Sequence, residues 1–204
     1  MIEPFLANWH KCQMDQEQLV TAFRGQDPEA LQELVKAYGD RLLRSAFLLC
    51  GNQTEAQDIV QDTFVQAIGS APRFRGNSSI YTWLHAILLN VTRHYHRTRK
   101  RIVYNDELAS TDLCPLEENP SNPDLETISC AVGDALRKLS PSHREVLVLR
   151  YYENMKIREI AAHLGISRGT VKSRLHYATR EMQNWVPAEM NLFASSGTKQ
   201  KEST

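Results

Sequence analysis

Two short apolar stretches at helical spacing, separated by a glycine, constrain the fold of this chain more than any other feature. They lie in residues 159–178, EIAAHLGISRGTVKSRLHYA. The segment from Glu159 to Leu164 is too short to form a stable isolated helix in water, so it needs a partner. Gly165 permits the backbone conformation that ends a helix, and Ser167 is a favourable N-cap for the next one. The stretch therefore predicts two helices joined by a tight turn.

The second helix of this pair has an apolar side and a basic side. Val171, Leu175 and Ala178 recur at helical spacing, so we expect them to face the core. A helix-turn-helix lays its second helix in the major groove, where cationic and hydroxyl side chains bind phosphates and base edges. A solvated basic face on a purely structural helix pair is the alternative. The residues predicted to contact DNA are Ser167, Arg168, Thr170, Lys172, Ser173, Arg174 and Tyr177.

The charges are grouped in blocks although the net charge is zero. Residues 1–62 carry ten acids and five bases, and residues 63–101 carry seven bases and no acid. Residues 102–126 then carry seven acids and no base, and residues 137–185 carry ten bases and four acids. Two basic blocks separated by an acidic stretch indicate two modules that each face a polyanion.

The acidic stretch also divides the chain into domains. It contains three prolines in residues 105–126 and has little apolar periodicity, which is typical of a flexible linker. Elsewhere apolar residues recur at helical spacing and no segment alternates like a strand. The predicted fold is all-α, with two small helical domains joined by a flexible acidic linker. The predicted divisions are an extension able to form a weak helix (1–24), a first domain (25–101), the linker (102–125), a second domain with the helix-turn-helix (126–186) and a disordered polar tail (187–204).

Local capping signals predict where several helices begin. Asp27 precedes a proline, and so does Ser140, which is the arrangement of an N-cap followed by proline at the first helical position. Asn52 and Asp124 are further predicted N-caps.

Composition excludes several other classes of protein. No apolar run is long enough to cross a bilayer, and the N-terminal residues lack the pattern of a secretion signal. The cysteines are widely spaced with no CxxC pair, so reduced thiols are expected rather than a metal site or a disulfide framework. We therefore predict a cytoplasmic protein without cofactor or bound metal. The cysteines are Cys12, Cys50, Cys114 and Cys130.

Four segments of the chain resemble bacterial RNA polymerase sigma factors. Residues 136–153, LRKLSPSHREVLVLRYYE, and 158–182, REIAAHLGISRGTVKSRLHYATREM, resemble their C-terminal DNA-binding domain. Residues 55–68, EAQDIVQDTFVQAI, and 73–90, RFRGNSSIYTWLHAILLN, resemble their other conserved domain. With only these two domains and a short linker, the chain resembles the small extracytoplasmic-function (ECF) class over residues 25–185.

The resemblance implies a polymerase-binding helix. The DIVQDTF segment, residues 58–64, is similar to the helix that docks on the clamp coiled coil of the largest polymerase subunits. An acidic and amide stripe suits a basic partner helix, and a merely solvated face is the alternative. Phe64 also lies in the apolar register, so a core position is equally expected for it. The implied polymerase-binding residues are Asp58, Gln61, Asp62 and Phe64.

The resemblance also implies a site for melted DNA. The FRGNSS loop and the helix after it are similar to the element that captures the non-template strand of the minus-ten promoter element, with a base flipped from the stack. We expect Trp83 in the core rather than as a stacking platform, and the role of Tyr81 stays open. The implied residues are Arg75, Gly76, Asn77, Ser78, Ser79, Thr82, His85, Asn90, Arg93 and Arg97, the last five lying outside the apolar stripe of the helix.

The remaining implications concern function and partners. The helix from Arg168 to Met182 would read the minus-thirty-five element as duplex. The chain would be a dissociable subunit of RNA polymerase for promoter recognition and melting, and not an enzyme, since it lacks a GxxxxGK[ST] phosphate loop. The implied partners are core RNA polymerase, promoter DNA in duplex and single-stranded form, and an anti-sigma factor, often membrane-anchored, without membrane insertion by the chain itself. The acidity of the linker suggests that it lies in a basic channel of the polymerase.

The chain departs from the family pattern at two positions, and two rival functions are considered. His94 stands where the family has an acid, and Tyr177 where arginine is common, which affects the expected promoter sequence. His94 and His96 lack a third ligand for a metal site. A repressor or activator that binds duplex DNA without polymerase is the first rival, and it leaves the first-half motifs unexplained. A nuclease or recombinase is the second, but Asp58 and Asp62 have no third acid nearby for a metal cluster.

Overall fold

The computed structural model describes residues 16–103 and 132–185, and every regular element in these two ranges is helical. The prediction of an all-α fold is confirmed. The chain divides into two compact units, Met1–Thr111 and Asp112–Thr204. Several expectations lie outside the described residues, namely most of the linker, the Asp124 cap, the tail 187–204 and residues 1–15.

Within residues 16–103, the first unit has four α-helices and one short 3₁₀ turn. The helices α2, α3 and α4 pack against one another, and α1 packs on α2 and on the 3₁₀ turn. The part of residues 1–24 that is described does form a helix. The elements are α1 (Gln16–Arg24), α2 (Pro28–Cys50), α3 (Gln53–Ser70), the 3₁₀ turn (Ala71–Arg73) and α4 (Ile80–Val103).

The helix boundaries of the first unit follow the local capping signals. The side chain of Asp27 accepts a hydrogen bond from the backbone N–H of Glu29, and Pro28 occupies the first helical position. Asn52 caps α3 by accepting from the N–H of Glu55 at 2.8 Å. Between α2 and α3, Gly51 ends the first helix with a φ of 78°, a conformation that glycine adopts without a Cβ clash. Both predicted caps are confirmed.

The core of the first unit is built from the facing sides of its helices. Two buried threonines, Thr63 and Thr92, satisfy their hydroxyls by donating to the backbone carbonyl four residues earlier, at 2.6 and 2.8 Å. Fully buried large side chains include Phe23, Leu19, Leu34, Leu42, Leu49, Ile59, Ile80, Leu84, Leu88 and Leu89.

The described part of the second unit, residues 132–185, has five helical elements. Residues 132–138 form a helix, here α5, and it is followed by α6 and a π-helical turn. The pair predicted from the sequence then appears as α7 and α8. The bounds are α6 (Pro141–Leu147), the π turn (Val148–Tyr152), α7 (Ile157–Leu164) and α8 (Arg168–Trp185).

Polar side chains join the helices of the second unit. Ser140 caps α6 as predicted, accepting from the N–H of His143. The buried Arg144 donates from Nη2 to the backbone carbonyls of Arg137 and Leu139 at 2.7 and 3.2 Å, which satisfies the end of α5. Nδ1 of His143 lies 3.1 Å from Oε2 of Glu181, which links α6 to α8.

The π turn was not expected from the apolar pattern. The N–H of Glu153 bonds to the carbonyl of Val148 at 3.0 Å, five residues back, and Asn154 follows with a φ of 54°. Asparagine tolerates this left-handed conformation, so the chain can reverse before α7 without a glycine.

The core of this unit includes Ala135, Leu136, Val146, Leu147, Leu149, Ile160, Val171, Ala178 and Met182.

Candidate polymerase and nucleic-acid interfaces

The turn between α7 and α8 has the geometry of a helix-turn-helix. Gly165 has a φ of 66°, and its N–H and that of Ile166 both bond to the carbonyl of Ala161. Ser167 caps α8, with its Oγ accepting from the N–H of Thr170 at 3.0 Å. These local bonds set the direction in which α8 leaves the turn, and the predicted tight turn is confirmed.

The exposed face of α8 is a basic stripe that also carries a pair of aromatic side chains, His176 and Tyr177. Among the predicted DNA-contacting residues, Ser167, Arg168, Lys172, Ser173 and Tyr177 are exposed, whereas Thr170 and Arg174 are half-buried. The same stripe continues through two residues that the sequence analysis left out. They are His176, four residues after Lys172, and Arg180, four residues after His176. Both are exposed, and this spacing is the signal in the sequence that identifies them.

The aromatic pair on α8, His176 and Tyr177, lies within this stripe. Their rings meet edge to face with centroids 5.6 Å apart, and 56% of Tyr177 is exposed. A large exposed aromatic beside Lys172 and Arg180 presents apolar surface and hydrogen-bonding atoms together. The one acid of α8, Glu181, is hydrogen-bonded to His143.

The helix α3 presents an acidic face, defined here as Asp58, Gln61, Asp62 and Val65. All four side chains are exposed, and they recur at spacings of three and four along the helix. The polar pattern of this helix did not indicate Val65, yet 61% of it is exposed. The exposed valine adds apolar surface directly beside the two carboxylates.

Phe64 does not belong to this face. It is buried, with 9% exposure, and lies on the core side of α3. Its inclusion among the polymerase-binding residues was wrong, because its apolar register, already noted in the sequence, places it against the other helices.

Tyr95 of α4 supports the acidic face. Its hydroxyl forms a hydrogen bond with the carboxylate of Asp62. Burial raises the pKa of Tyr95, and the negative charges of Asp62 and Asp58 raise it further. The phenol therefore stays protonated and acts as a donor to Asp62 at neutral pH.

The loop between the 3₁₀ turn and α4, residues 74–79, projects from the first unit. Its first residue, Phe74, is buried, whereas Arg75, Gly76, Asn77, Ser78 and Ser79 are all exposed. Gly76 has a φ of 74°, which favours glycine at the turn. At the far end, Ser79 accepts from the N–H of Thr82 at 3.1 Å and so caps α4.

His85 does not lie on the exposed side of α4, and its prediction as a DNA-contacting residue was wrong. The side chain is completely buried, and its Nε2 lies 2.8 Å from Oγ of Ser45 on α2. A histidine can occupy the core when a partner satisfies its ring nitrogen. The helical spacing did not reveal this, because Ser45 comes from a different helix.

The other predicted residues of α4 remain accessible to different degrees. Asn90 and Arg97 are exposed, and Thr82 and Arg93 are half-buried. The guanidinium Nε of Arg97 donates to the backbone carbonyl of Arg93 at 3.2 Å. These residues extend from the loop along one side of α4 and carry no acid among them.

Tyr81 and Trp83 lie in the first turn of α4, directly after the loop. Trp83 is half-buried, and its ring packs against Phe74 with centroids 5.0 Å apart and against Phe23 at 5.9 Å. Tyr81 is buried and lies beneath the guanidinium of Arg41, 4.0 Å from its ring centre. Trp83 therefore supports the loop through Phe74, whereas Tyr81 packs against Tyr38 and Arg41 of α2.

Two general observations apply to the described ranges 16–103 and 132–185. They hold no cluster of three histidine, cysteine or acidic side chains able to bind a metal, and His94 and His96 stand without a third ligand there. None of their helices has the length and apolar character needed to span a bilayer. The buried thiol of Cys50 donates to the backbone carbonyl of Asn52 at 3.1 Å.

Comparison with known families identifies both units. The model of sigma-70 region 2 matches residues 34–102, and the model of sigma-70 region 4 matches residues 135–184. The first range holds the acidic face and loop 74–79, and the second holds the helix-turn-helix. Both families belong to transcription initiation factors.

Individual relatives agree with the family models. The ECF RNA polymerase sigma factor SigW of Bacillus subtilis is 30% identical, over 74% of this chain and 85% of its own length. SigL of Mycobacterium tuberculosis is 33% identical, over 70% and 80%. SigE of Mycolicibacterium smegmatis is 31% identical over 80% of this chain, which spans only 64% of that relative. The chain belongs to the ECF sigma factors of the sigma-70 family.

Solved structures have the same fold. The sigma factor RpoE of Bartonella quintana, in complex with the anti-sigma factor NepR, has a TM-score of 0.65 at 28% identity and covers 76% of this chain and 94% of its own. CnrH in complex with the cytosolic domain of CnrY has a TM-score of 0.58 at 25% identity, covering 83% and 95%.

Proposed function

We propose that this chain is a dissociable promoter-specificity subunit of bacterial RNA polymerase. It binds the core enzyme, reads the duplex minus-thirty-five element and captures the melted minus-ten element. The observation that carries the proposal is the pairing, within one unit, of the exposed acidic face of α3 with an exposed polar loop and the acid-free side of α4. A protein that only bound DNA would have no use for the first of these surfaces.

The acidic face is the proposed polymerase-binding surface. Asp58 and Asp62 attract a basic partner, and Val65 adds apolar area at the same place. Charge complementarity raises the rate and specificity of association, while the buried apolar contact contributes affinity. Gln61 lies between the two acids and adds a hydrogen-bonding amide.

The loop 74–79 and α4 form the proposed single-strand site. The exposed serine and asparagine side chains of the loop supply hydrogen-bond donors and acceptors for a flipped base. These hydrogen bonds must offset the free-energy cost of unstacking the base. Arg93 and Arg97 follow on α4 and can neutralise the phosphates of the adjoining strand. The minus-ten residues retained in this proposal are Arg75, Gly76, Asn77, Ser78, Ser79, Thr82, Asn90, Arg93 and Arg97.

The basic stripe of α8 is the proposed duplex-reading surface. Arg168 and Lys172 sit in its first turns, where the N-terminus of a helix also favours phosphate. His176 and Tyr177 are available for base edges, and Arg180 extends the contact along the backbone. The domain divisions given by the sequence, with a linker at 102–125, belong to the same proposal.

The partners and the setting follow from the proposed role. RpoE is found in complex with the anti-sigma factor NepR, and CnrH in complex with the cytosolic domain of CnrY. By analogy with the RpoE complex, we propose that this chain also has an anti-sigma factor. It acts in the cytoplasm, where the polymerase works, and the energy for melting comes from binding rather than from a hydrolytic activity of its own. The acidic linker is proposed to occupy a basic channel of the polymerase, and neutralising its acids without effect on polymerase affinity and initiation would remove that part.

The test is transcription in vitro from a library of genomic fragments with purified core RNA polymerase. The full chain should direct initiation at a small set of fragments that share two short elements. Reversing the charge of Asp58 and Asp62 to arginine should reduce polymerase affinity by about tenfold or more. The matched control is Asp40→Arg, a charge reversal at an exposed acid of α2.

Two results would contradict the proposal. Tight, specific binding of duplex DNA without any association with polymerase would favour an ordinary repressor or activator. Cleavage of DNA by the chain alone with a divalent metal would favour a nucleic-acid enzyme.

A further inference from the structure

The helix α1 precedes the residues that match sigma-70 region 2, yet it contacts the loop proposed to bind single-stranded DNA. Arg24, the last residue of α1, donates a hydrogen bond from Nε to the backbone carbonyl of Phe74 at 2.6 Å. Its guanidinium carbon lies 5.8 Å from the centre of the Phe74 ring. The end of α1 thus holds the first residue of loop 74–79 across 50 positions of sequence.

The same side chain reaches the turn of the loop. Gly76 has a φ of 74°, and a Cβ built on it would lie 3.9 Å from Nη2 of Arg24. The guanidinium therefore extends along the loop from the Phe74 carbonyl to the neighbourhood of Gly76. One side chain therefore lies against the loop backbone both at its first residue, Phe74, and near its turn at Gly76.

An apolar contact reinforces this polar one. Phe23, next to Arg24 in α1, is buried and meets the ring of Trp83 edge to face, with centroids 5.9 Å apart. Trp83 in turn packs on Phe74 at 5.0 Å. Phe74 is therefore held through its ring from below and through its carbonyl by Arg24, while residues 75–79 beyond it are exposed.

Holding the loop before DNA arrives has a thermodynamic consequence. An exposed loop loses conformational entropy when it binds, and this loss lowers affinity unless the loop is already ordered. A hydrogen bond from a charged donor is stronger than one between neutral groups, so Arg24 is well suited to impose that order. The contact can raise affinity for DNA without touching it.

We propose that Arg24 is a positioning residue for loop 74–79, and that α1 is thereby a functional part of the single-strand site. The inference rests on the proposed function of the loop. It assigns a role to a helix that lies before the matched region, which begins at residue 34. The effect runs through the Phe74 backbone rather than through the charge of Arg24.

Two substitutions of similar length separate the hydrogen bond from the charge. Arg24→Gln places an amide nitrogen where Nε stands, so a donor is kept and the positive charge is lost. Arg24→Met fills the same space with no donor. Gln18→Ala, at an exposed position of the same helix, is the matched control.

The experiment uses the full chain assembled with core RNA polymerase. The wild-type holoenzyme first selects binders from a pool of single-stranded DNA with a randomised centre, and the affinity of each variant for an enriched oligonucleotide is then measured at several salt concentrations. We expect Arg24→Met to bind about tenfold more weakly, with Arg24→Gln and Gln18→Ala within about threefold of wild type. The dependence of affinity on salt should stay the same in all of them.

Three outcomes would overturn the positioning role. Undiminished binding by Arg24→Met would show that the contact is irrelevant. Equal losses in Arg24→Met and Arg24→Gln, with a salt slope shallower by about 0.7, would indicate a direct phosphate contact by the charge. An equal loss of affinity for core polymerase in Arg24→Met would assign the residue to the stability of the whole unit.

The design separates this inference from the proposed function. If the wild-type holoenzyme enriches no single-stranded sequence, the function proposed for the loop fails whatever the variants do. If it enriches one and Arg24→Met binds that sequence as tightly, only the role of Arg24 fails.

Discussion

The hydroxyl of Tyr95 on α4 forms a hydrogen bond with the carboxylate of Asp62 on α3. This bond joins the helix of the proposed single-strand site to the helix of the proposed polymerase site. Burial raises the pKa of Tyr95, and the charges of Asp62 and Asp58 raise it further, so the phenol remains a donor. One carboxylate of the acidic face thus has a hydrogen-bond donor within its own unit.

Removing the Tyr95 hydroxyl should weaken polymerase binding. In Tyr95→Phe, Asp62 loses its donor and must be ordered at the moment of association, which we expect to lower affinity for core polymerase by about threefold to tenfold. The measurement is a titration of labelled protein with core enzyme. Tyr177→Phe removes an exposed hydroxyl from the other unit and should leave this affinity unchanged. An unaltered affinity in Tyr95→Phe would contradict the prediction.

The raised pKa of Tyr95 also predicts a dependence of stability on alkaline pH. In the unfolded chain a tyrosine loses its proton near about pH 10, whereas the folded protein retains it to higher pH. The folded state then binds more protons than the unfolded state, so this contribution is fully present below that pH and is lost as pH rises through the raised pKa. Urea unfolding from about pH 9 to 11 should show a smaller decline for Tyr95→Phe than for wild type. Equal declines would refute the linkage.

Val65 should contribute to polymerase binding without supporting the fold. Because 61% of the side chain is exposed, Val65→Lys should change the free energy of unfolding by less than about 0.5 kcal/mol. In the complex, the lysine removes the apolar contact and places a positive charge opposite a basic partner. We therefore expect the affinity for core polymerase to fall about tenfold. Gln66→Lys, at the exposed neighbouring position, is the control. Comparable losses in the two variants would argue against a specific contact at Val65.

The buried pair of Ser45 and His85 should matter for stability and not for DNA binding. Ser45→Ala removes the hydroxyl bonded to Nε2, and we expect it to lower the free energy of unfolding by about 1–3 kcal/mol. At a temperature where the variant is folded, the holoenzyme should bind single-stranded DNA as wild type does. Asn90→Ala, at an exposed position of α4, should leave thermal unfolding unchanged and lower the affinity for single-stranded DNA measured by titration. A loss of DNA affinity in folded Ser45→Ala would restore a role for His85 at the interface.

Two glycines of the helix-turn-helix should respond oppositely to alanine. Gly165 has a φ of 66°, so Gly165→Ala forces a side chain into the left-handed region and should cost about 1–2 kcal/mol of stability. Gly169 lies within α8, where a Cβ would meet only Oγ of Ser167 at 3.6 Å, an ordinary contact. Gly169→Ala should therefore be neutral or stabilising by up to about 1 kcal/mol. Denaturant unfolding measures both, and similar effects would indicate that the turn does not depend on glycine.

Local chemistry in the sequence determined the helical elements of this protein. Asp27, Asn52, Ser140 and Ser167 each cap a helix because a side-chain oxygen reaches an N–H two or three residues ahead. Gly165 ends α7 for an equally local reason, its freedom to adopt a positive φ. The exposed positions of the basic stripe and the acidic face followed mainly from helical periodicity, since neighbours along one face are three or four residues apart.

Only the tertiary structure decided which parts of these faces are covered and which distant groups meet. His85 is buried where Ser45 of another helix satisfies its ring, and Val65 is 61% exposed because the helices of residues 16–103 pack elsewhere. The bond from Arg24 to Phe74 joins residues 50 positions apart, beyond the reach of any local pattern. Periodicity fixes the side of a helix on which a residue lies, but the partner on that side depends on how the helices pack, and this arises from the summed burial of the whole unit.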